Sequence, residues 1–217
     1  MIATQEWANY TNRDGSGYYF ALFERIFPSY QHSVTFMPYA RSLAMLEQQQ
    51  VDLVFGASED DFDDARCGVS LVEVDRSDML TSQRLASGFR SSLDLNGKYV
   101  VSRIGYDWRD QLPAGTRYKE YASLAQMIKL LSVGRVDAVL EYRDEIEQAL
   151  LKLGGDYQQL VIVDNVVEYG STFCFAANKR GEYLQKQFDR VMLQMIESGE
   201  LRALMLQTLG SDEDYPY

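Results

Sequence analysis

Gln50-Val51-Asp52-Leu53-Val54-Phe55-Gly56 and Arg135-Val136-Asp137-Ala138-Val139-Leu140-Glu141 are two versions of one phrase. An amphipathic run precedes each. Residues 41–49 carry Leu43, Met45 and Leu46, and residues 123–133 carry Leu124, Met127, Ile128, Leu130 and Leu131. Apolar residues three and four apart line one face of a helix. A Val-Asp pair then leads into a short apolar run, the pattern of a strand buried on both faces in a parallel sheet. The repetition predicts two copies of helix, tight turn and buried strand. Two copies imply two α/β lobes, and ligands bind at the strand ends of such sheets.

Working outward, residues 2–6 read as a first strand and 7–17 as a loop rich in Asn, Asp, Ser and Gly. Residues 18–27 predict a helix with a wide apolar face, stopped by Pro28. Residues 33–37 predict a second strand, so the first lobe reads β-α-β-α-β, the order of a doubly wound unit. Residues 58–64 form an acidic loop. It misses the spacing and central Gly of a calcium loop and is read as a solvated loop. Residues 71–83 read as an extended stretch leaving the first lobe, 87–97 as a loop, and 99–102 as a strand. A helix over 143–153 ends at Gly154-Gly155. Residues 160–163 and 171–177 read as two separate strands. Helices over 183–196 and 200–209 complete the chain before an acidic tail.

At 217 residues the chain has room for one large domain or two small ones. A net charge of −11 argues against nucleic acid or an anionic membrane surface as partner, since both need a basic patch. No apolar run reaches the roughly 20 residues of a membrane span. The first residues lack the basic and apolar regions of a signal peptide, so an exported protein would be present here in mature form. Cys67, Cys174 and the single His32 do not have zinc-ligand spacing. Two separately buried thiols are the favoured reading of the cysteines, with a disulfide as the alternative. Nothing in the sequence calls for a cofactor.

Five phrases, in order, resemble the bacterial extracellular solute-binding proteins of family 3, the periplasmic binding proteins of polar amino-acid type. They are Asp14-Gly15-Ser16-Gly17-Tyr18, the helix and Val-Asp unit over 41–56, Asp94-Leu95-Asn96-Gly97-Lys98-Tyr99-Val100, Gly134-Arg135-Val136-Asp137-Ala138-Val139, and Ser198-Gly199-Glu200-Leu201. The likeness runs nearly end to end. It implies the type II periplasmic-binding-protein fold, two α/β lobes joined by two crossover strands. Lobe 1 would be 1–76 with 177–217, and lobe 2 would be 77–176. It also implies a small polar solute held between the lobes by hinge closure. The expected setting is the periplasm, with the signal peptide removed, and the expected state a monomer serving an ABC transporter permease or a membrane sensor.

The resemblance also assigns ligand positions. Trp7 follows the first strand, where an aromatic packs on the ligand. Gly56, Ala57 and Ser58 follow the third strand, where backbone groups and a hydroxyl meet its polar atoms. Arg66 is the nearest candidate for the arginine that pairs with an amino-acid carboxylate, a match of planar fork to planar acceptor. Its phrase departs from the family, with Asp63 where Thr is expected, and Arg41 is the substitute. In lobe 2, Tyr106 and Trp108 suit a ring-bearing or apolar ligand face. Glu141 and Tyr142 end the strand near the place where amino-acid binders put an Asp for the ligand's ammonium. Here Tyr142 takes that place and Glu141 precedes it by one residue, which in a strand reverses the side chain. Asp52 and Asp137 are read as structural turn residues.

A non-catalytic binding protein is the first functional expectation. A ligand-sensing domain, or a dehydratase-like enzyme on the same fold, is the alternative. Catalysis would need a positioned acid–base pair, and His32 sits in a surface loop.

Overall fold

The computed structural model describes residues 1–154 and 157–217, so Gly155, half of the expected helix stop, lies outside the described residues. The chain divides into two compact units, Met1–Asp75 with Gly170–Tyr217, and Arg76–Tyr169.

Unit 1 opens with β1 (Ile2–Thr4), α1 (Tyr18–Ile26), β2 (Val34–Phe36), α2 (Tyr39–Glu47), β3 (Leu53–Ala57) and β4 (Ala65–Cys67). Strand β5 (Glu73–Ser82) carries the chain out. Unit 2 then holds α3 (Gln83–Gly88), β6 (Tyr99–Arg103), β7 (Arg117–Tyr121), α4 (Leu124–Ser132), β8 (Ala138–Glu141) and α5 (Arg143–Leu153). Strand β9 (Leu160–Ala176) returns to unit 1, which ends in α6 (Lys179–Ser198) and α7 (Glu200–Leu209).

In unit 1, β1 pairs in parallel with both β2 and β3, while β3 and β4 run antiparallel to β9. Helix α1 turns Tyr18, Tyr19, Phe20, Leu22, Phe23 and Ile26 inward, and Phe27, which follows it, is buried too. Phe55, Phe173, Phe175 and Phe188 meet that face to make an aromatic core. The chain enters α1 through Gly17, which only glycine satisfies. Its φ is +120°, and a Cβ there would lie 2.4 Å from the Tyr10 carbonyl oxygen.

In unit 2, β8 lies between β5, antiparallel, and β6, parallel, and β7 adds to the far side of β6 in parallel. Met127, Ile128 and Leu131 of α4 and Ile146 of α5 bury against Leu80, Val101 and Val139. The amphipathic spacing read over 123–133 produces this layer, with the Ser123 hydroxyl accepting from the Gln126 amide at 3.3 Å to cap α4.

The repeated phrase folds the same way in both units. Gln49 (φ 57°) and Gly134 (φ 70°) make the left-handed turn that ends each helix. The next amides, Gln50 and Arg135, donate back to Met45 and Leu130 at 2.8 and 2.9 Å. Asp52 and Asp137 then donate their amides to Met1 and Tyr99, each at 2.8 Å. The Asp137 carboxylate accepts the Tyr99 amide at 2.7 Å, and Asp52 pairs with Arg180 at 3.2 Å. Both aspartates hold backbone and helix in place, as their turn positions predicted.

Several expectations are corrected. Residues 160–176 form one continuous strand, not two, because the 171–176 run pairs with β3 and β4 and pulls the return into unit 1 at Gly170 rather than at 177. Residues 65–67, 83–88 and 117–121 form β4, α3 and β7, none of which their polar, non-periodic sequences announced. Cys67 and Cys174 are bridged, and they face each other in the β4–β9 ladder. Pairing in a register that no local pattern encodes is what brings the thiols together. The acidic loop contains a short 3-10 turn, Glu59–Asp61, capped by Ser58. Among the described residues no helix is long and apolar enough to cross a membrane, and no acidic, His or Cys group has the make-up of a metal site.

Candidate functional site

In unit 1 the candidate positions gather around a residue the sequence did not single out, Tyr39. Trp7, half-buried after β1, lies edge-on to Tyr39 with ring centroids 5.4 Å apart, and 6.3 Å from Tyr19. The Tyr39 hydroxyl donates to the Gly56 carbonyl at 2.8 Å and to Asp61 Oδ2 at 3.4 Å. Gly56 has φ +64°, and a Cβ there would come within 2.9 Å of the Tyr19 hydroxyl. Glycine lets the strand end lie directly on that ring. Ala57 is fully buried. Ser58 is turned to local use: its amide donates to Asp61 Oδ2 at 2.8 Å, and its hydroxyl accepts from the Asp60 amide at 3.2 Å.

Arg66 stands apart from these residues. It is exposed on β4, opposite Phe175 in the β9 register, and its charge helps hold the Glu182 carboxyl of α6 below the usual range, after Lys186. Arg41 is exposed in the first turn of α2. His32 is exposed with its ring 4.7 Å from that of Phe23.

Beneath Gly56 and Tyr19 lies a buried acid that sequence reading missed. Glu73, 1% exposed, accepts a short hydrogen bond from the Tyr19 hydroxyl and another from Ser171 at 3.2 Å. Its Oε2 has no partner among the described residues. Burial and then the charge of Asp75 push the Glu73 carboxyl well above its ordinary value. Burial and the charge of Glu73 likewise raise Tyr19. Val72-Glu73-Val74 looks like a strand with one charge turned to solvent, so nothing in the local sequence marked Glu73 as an inward residue.

In unit 2 the structure brings Tyr106, Trp108, Glu141 and Tyr142 together, around Arg103. The Tyr106 ring lies 6.2 Å from Trp108 and 5.8 Å from Tyr142, both edge-on, and Trp108 meets Tyr169 at 5.8 Å. Arg103 Cζ sits 5.4 Å from the Tyr106 centroid. Trp108 is 2% exposed, so it is part of the packed end of this unit and not a surface cap. The Tyr118 hydroxyl accepts the Trp108 amide at 3.1 Å.

Glu141, expected as an acceptor for a ligand, is fully buried and already occupied. Arg103 Nε donates to its Oε2 in a short bond, and the Tyr142 amide donates to its Oε1 at 3.1 Å. Burial raises its carboxyl, against the pull of Arg103. Burial also works against the Arg103 charge, but the hydrogen bond and charge of Glu141 outweigh it and hold Arg103 above its ordinary value. A signal for this pair did exist. Val101 is opposite Val139 in the β6–β8 register, which puts Arg103 level with Glu141 on the same inward face. Two opposite charges at inward strand positions need each other.

No protein-family model matches the chain, and no curated protein matches it in sequence. Solved structures match it in fold along almost the whole length. The GluR0 ligand-binding core in complex with L-glutamate superposes with a TM-score of 0.70 at 15% identity, covering 96% of each chain. An ArgBP from T. maritima gives 0.67 at 15% identity, over 97% of this chain and 94% of that one. The substrate-binding protein of an ABC uptake transporter from Streptococcus pneumoniae, with bound histidine, gives 0.65 at 16%, over 99% and 93%. The chain therefore has the two-lobed α/β fold of the substrate-binding proteins of amino-acid ABC transporters.

Proposed function

We propose that this protein is a non-catalytic binding protein for a small polar solute, closing its two units on the solute by a hinge motion and delivering it to a membrane transporter. One observation carries the reading: the fold match to binding proteins extends over 93% or more of both chains in all three comparisons. Two of these neighbours hold L-glutamate and histidine, both small polar solutes. The binding residues we assign are Trp7, Gly56, Ala57 and Ser58 with Tyr39 in unit 1, and Tyr106, Trp108 and Tyr142 in unit 2. Glu141 acts through Arg103, and Arg66 is the weakest member because it lies on the exposed edge of β4.

The Cys67–Cys174 bridge supports an oxidising compartment, for which we propose the periplasm, with the protein acting as a monomer.

A thermal-shift screen against amino acids, polyamines, dicarboxylates and small aromatic acids tests binding. A solute at one hundred times its dissociation constant adds about 2.7 kcal/mol, which a melting curve resolves. Silence across the panel, after denaturing and refolding to strip carried-over solute, removes the solute-binding reading.

A further inference from the structure

The guanidinium of Arg103 is not used up. Its Nε is given to Glu141, but among the described residues neither Nη1 nor Nη2 makes a hydrogen bond, although Nη2 lies 3.1 Å from Glu145 Oε2. The side chain is 22% exposed, at the C-terminal end of β6 where a parallel sheet presents its ligands. Next to the same Tyr106 ring, the buried Trp108 Nε1 also lacks an acceptor among the described residues. Two buried donors without a hydrogen-bond acceptor thus lie near one ring. Gln111 Oε1, also buried and without a hydrogen-bond partner among the described residues, is a neutral acceptor suited to a hydroxyl.

Buried donors without acceptors are costly, and a bound group that supplies oxygens removes the cost. A carboxylate matches the paired Nη edge of a guanidinium in plane and spacing. Glu141 holds Arg103 by Nε alone, so it fixes the orientation of the fork without covering its far edge. Glu141, the carboxylate beside Tyr142, is thus committed to an arginine and is not open to an incoming ammonium. Glu145 is the competing acceptor, 40% exposed and screened by water.

Resting on the solute-binding reading above, we propose that Arg103 is the specificity-determining residue of unit 2 and takes a carboxylate of the solute. Glu141 is its positioning residue, and Tyr106 faces a ring or apolar body. The solute class is then a small ring-bearing organic acid, and not an α-amino acid whose ammonium group this unit holds.

The test uses the full chain, refolded to strip carried-over solute, with the matched probes phenylacetate and phenethylamine measured by calorimetry and melting. They share ring and spacer and differ in the sign of the charge. Phenylacetate is expected to bind at least about tenfold tighter. Arg103→Lys keeps a charge beside Glu141 but loses the fork, and is expected to weaken phenylacetate by about tenfold or more. Glu145→Gln removes the competing negative charge and should tighten phenylacetate. If Arg103→Lys does not fold, the double variant Arg103→Met with Glu141→Gln removes the pair without stranding a buried charge, and the same loss is expected. Tighter phenethylamine, weakened by Glu145→Gln, overturns the assignment while leaving solute binding intact. Phenylacetate binding that survives both Arg103 variants overturns it too. No binding by either probe or by any member of the broader panel removes this inference together with the function on which it rests.

Discussion

Glu73 in unit 1 and Glu141 in unit 2 are both buried carboxyls, and the two units accommodate them in opposite ways. Glu141 has a guanidinium beside it, and the pair shares its burial. Glu73 has only the hydroxyls of Tyr19 and Ser171, with the like charges of Asp75 and Asp214 acting on it. Burial raises both carboxyls, but only Glu141 has a cation opposing the rise. Unit 2 therefore keeps a buried ion pair, while unit 1 keeps a carboxyl biased to its neutral form. A buried acid is cheap as a neutral group and expensive as an unpaired anion, so its neighbours decide its chemistry.

Three experiments probe this contrast, taken from the largest expected effect down. Arg103→Met strands Glu141 without its cation and should cost about 3–5 kcal/mol, whereas the double variant with Glu141→Gln should recover most of that loss. Urea denaturation measures both. Equal stability of the single and double variants would show that Glu141 does not depend on Arg103.

Next in size is the bridge that staples unit 1 alone. Cys67 and Cys174 are 107 residues apart in sequence. Replacing both with Ser should cost about 2–4 kcal/mol. Amide exchange should quicken in α1 and α6 more than in α4, since the bridge ties β4 to β9 in unit 1. Uniform quickening in both units would mean that the bridge stabilises the chain as a whole.

The smallest effect depends on pH. The folded value of Glu73 lies above its ordinary 4.5, so the stability it contributes is complete below that range and is lost as pH rises through the folded value. Glu73→Gln does not titrate. Wild type should therefore lose stability relative to this variant as pH climbs from 4.5, by about 1.4 kcal/mol for each unit of elevation. Parallel stability curves for the two proteins between pH 4.5 and 8 would remove the neutral-acid account.

The sequence was most legible where a period repeats. The apolar faces of α1 and α4, and the Val-Asp entries to β3 and β8, were readable because side chains three, four or two apart report directly on burial. Short polar elements were not. Arg117–Tyr121 is a strand because β6 offers it hydrogen bonds, not because Arg-Tyr-Lys-Glu-Tyr alternates. Among the candidate site residues, Tyr106, Trp108, Glu141 and Tyr142 were found by position along the chain and do come together. Their hub, Arg103, was passed over as the end of a strand. In unit 1, Trp7 and Gly56 were chosen the same way, while Tyr39 and Glu73 were hidden inside stretches that read as a bend and an extended run.

By itself the sequence determined two α/β units, their helix faces and the two aspartate turns, since each of these depends on residues within one or two turns of chain. Tertiary structure alone decided that Cys67 meets Cys174, that Glu141 is taken by Arg103, and that Glu73 lies under Tyr19 without a cation. Each of these depends on strand register between distant segments, and register is set by the summed packing of a whole sheet and is not carried by any local run of residues.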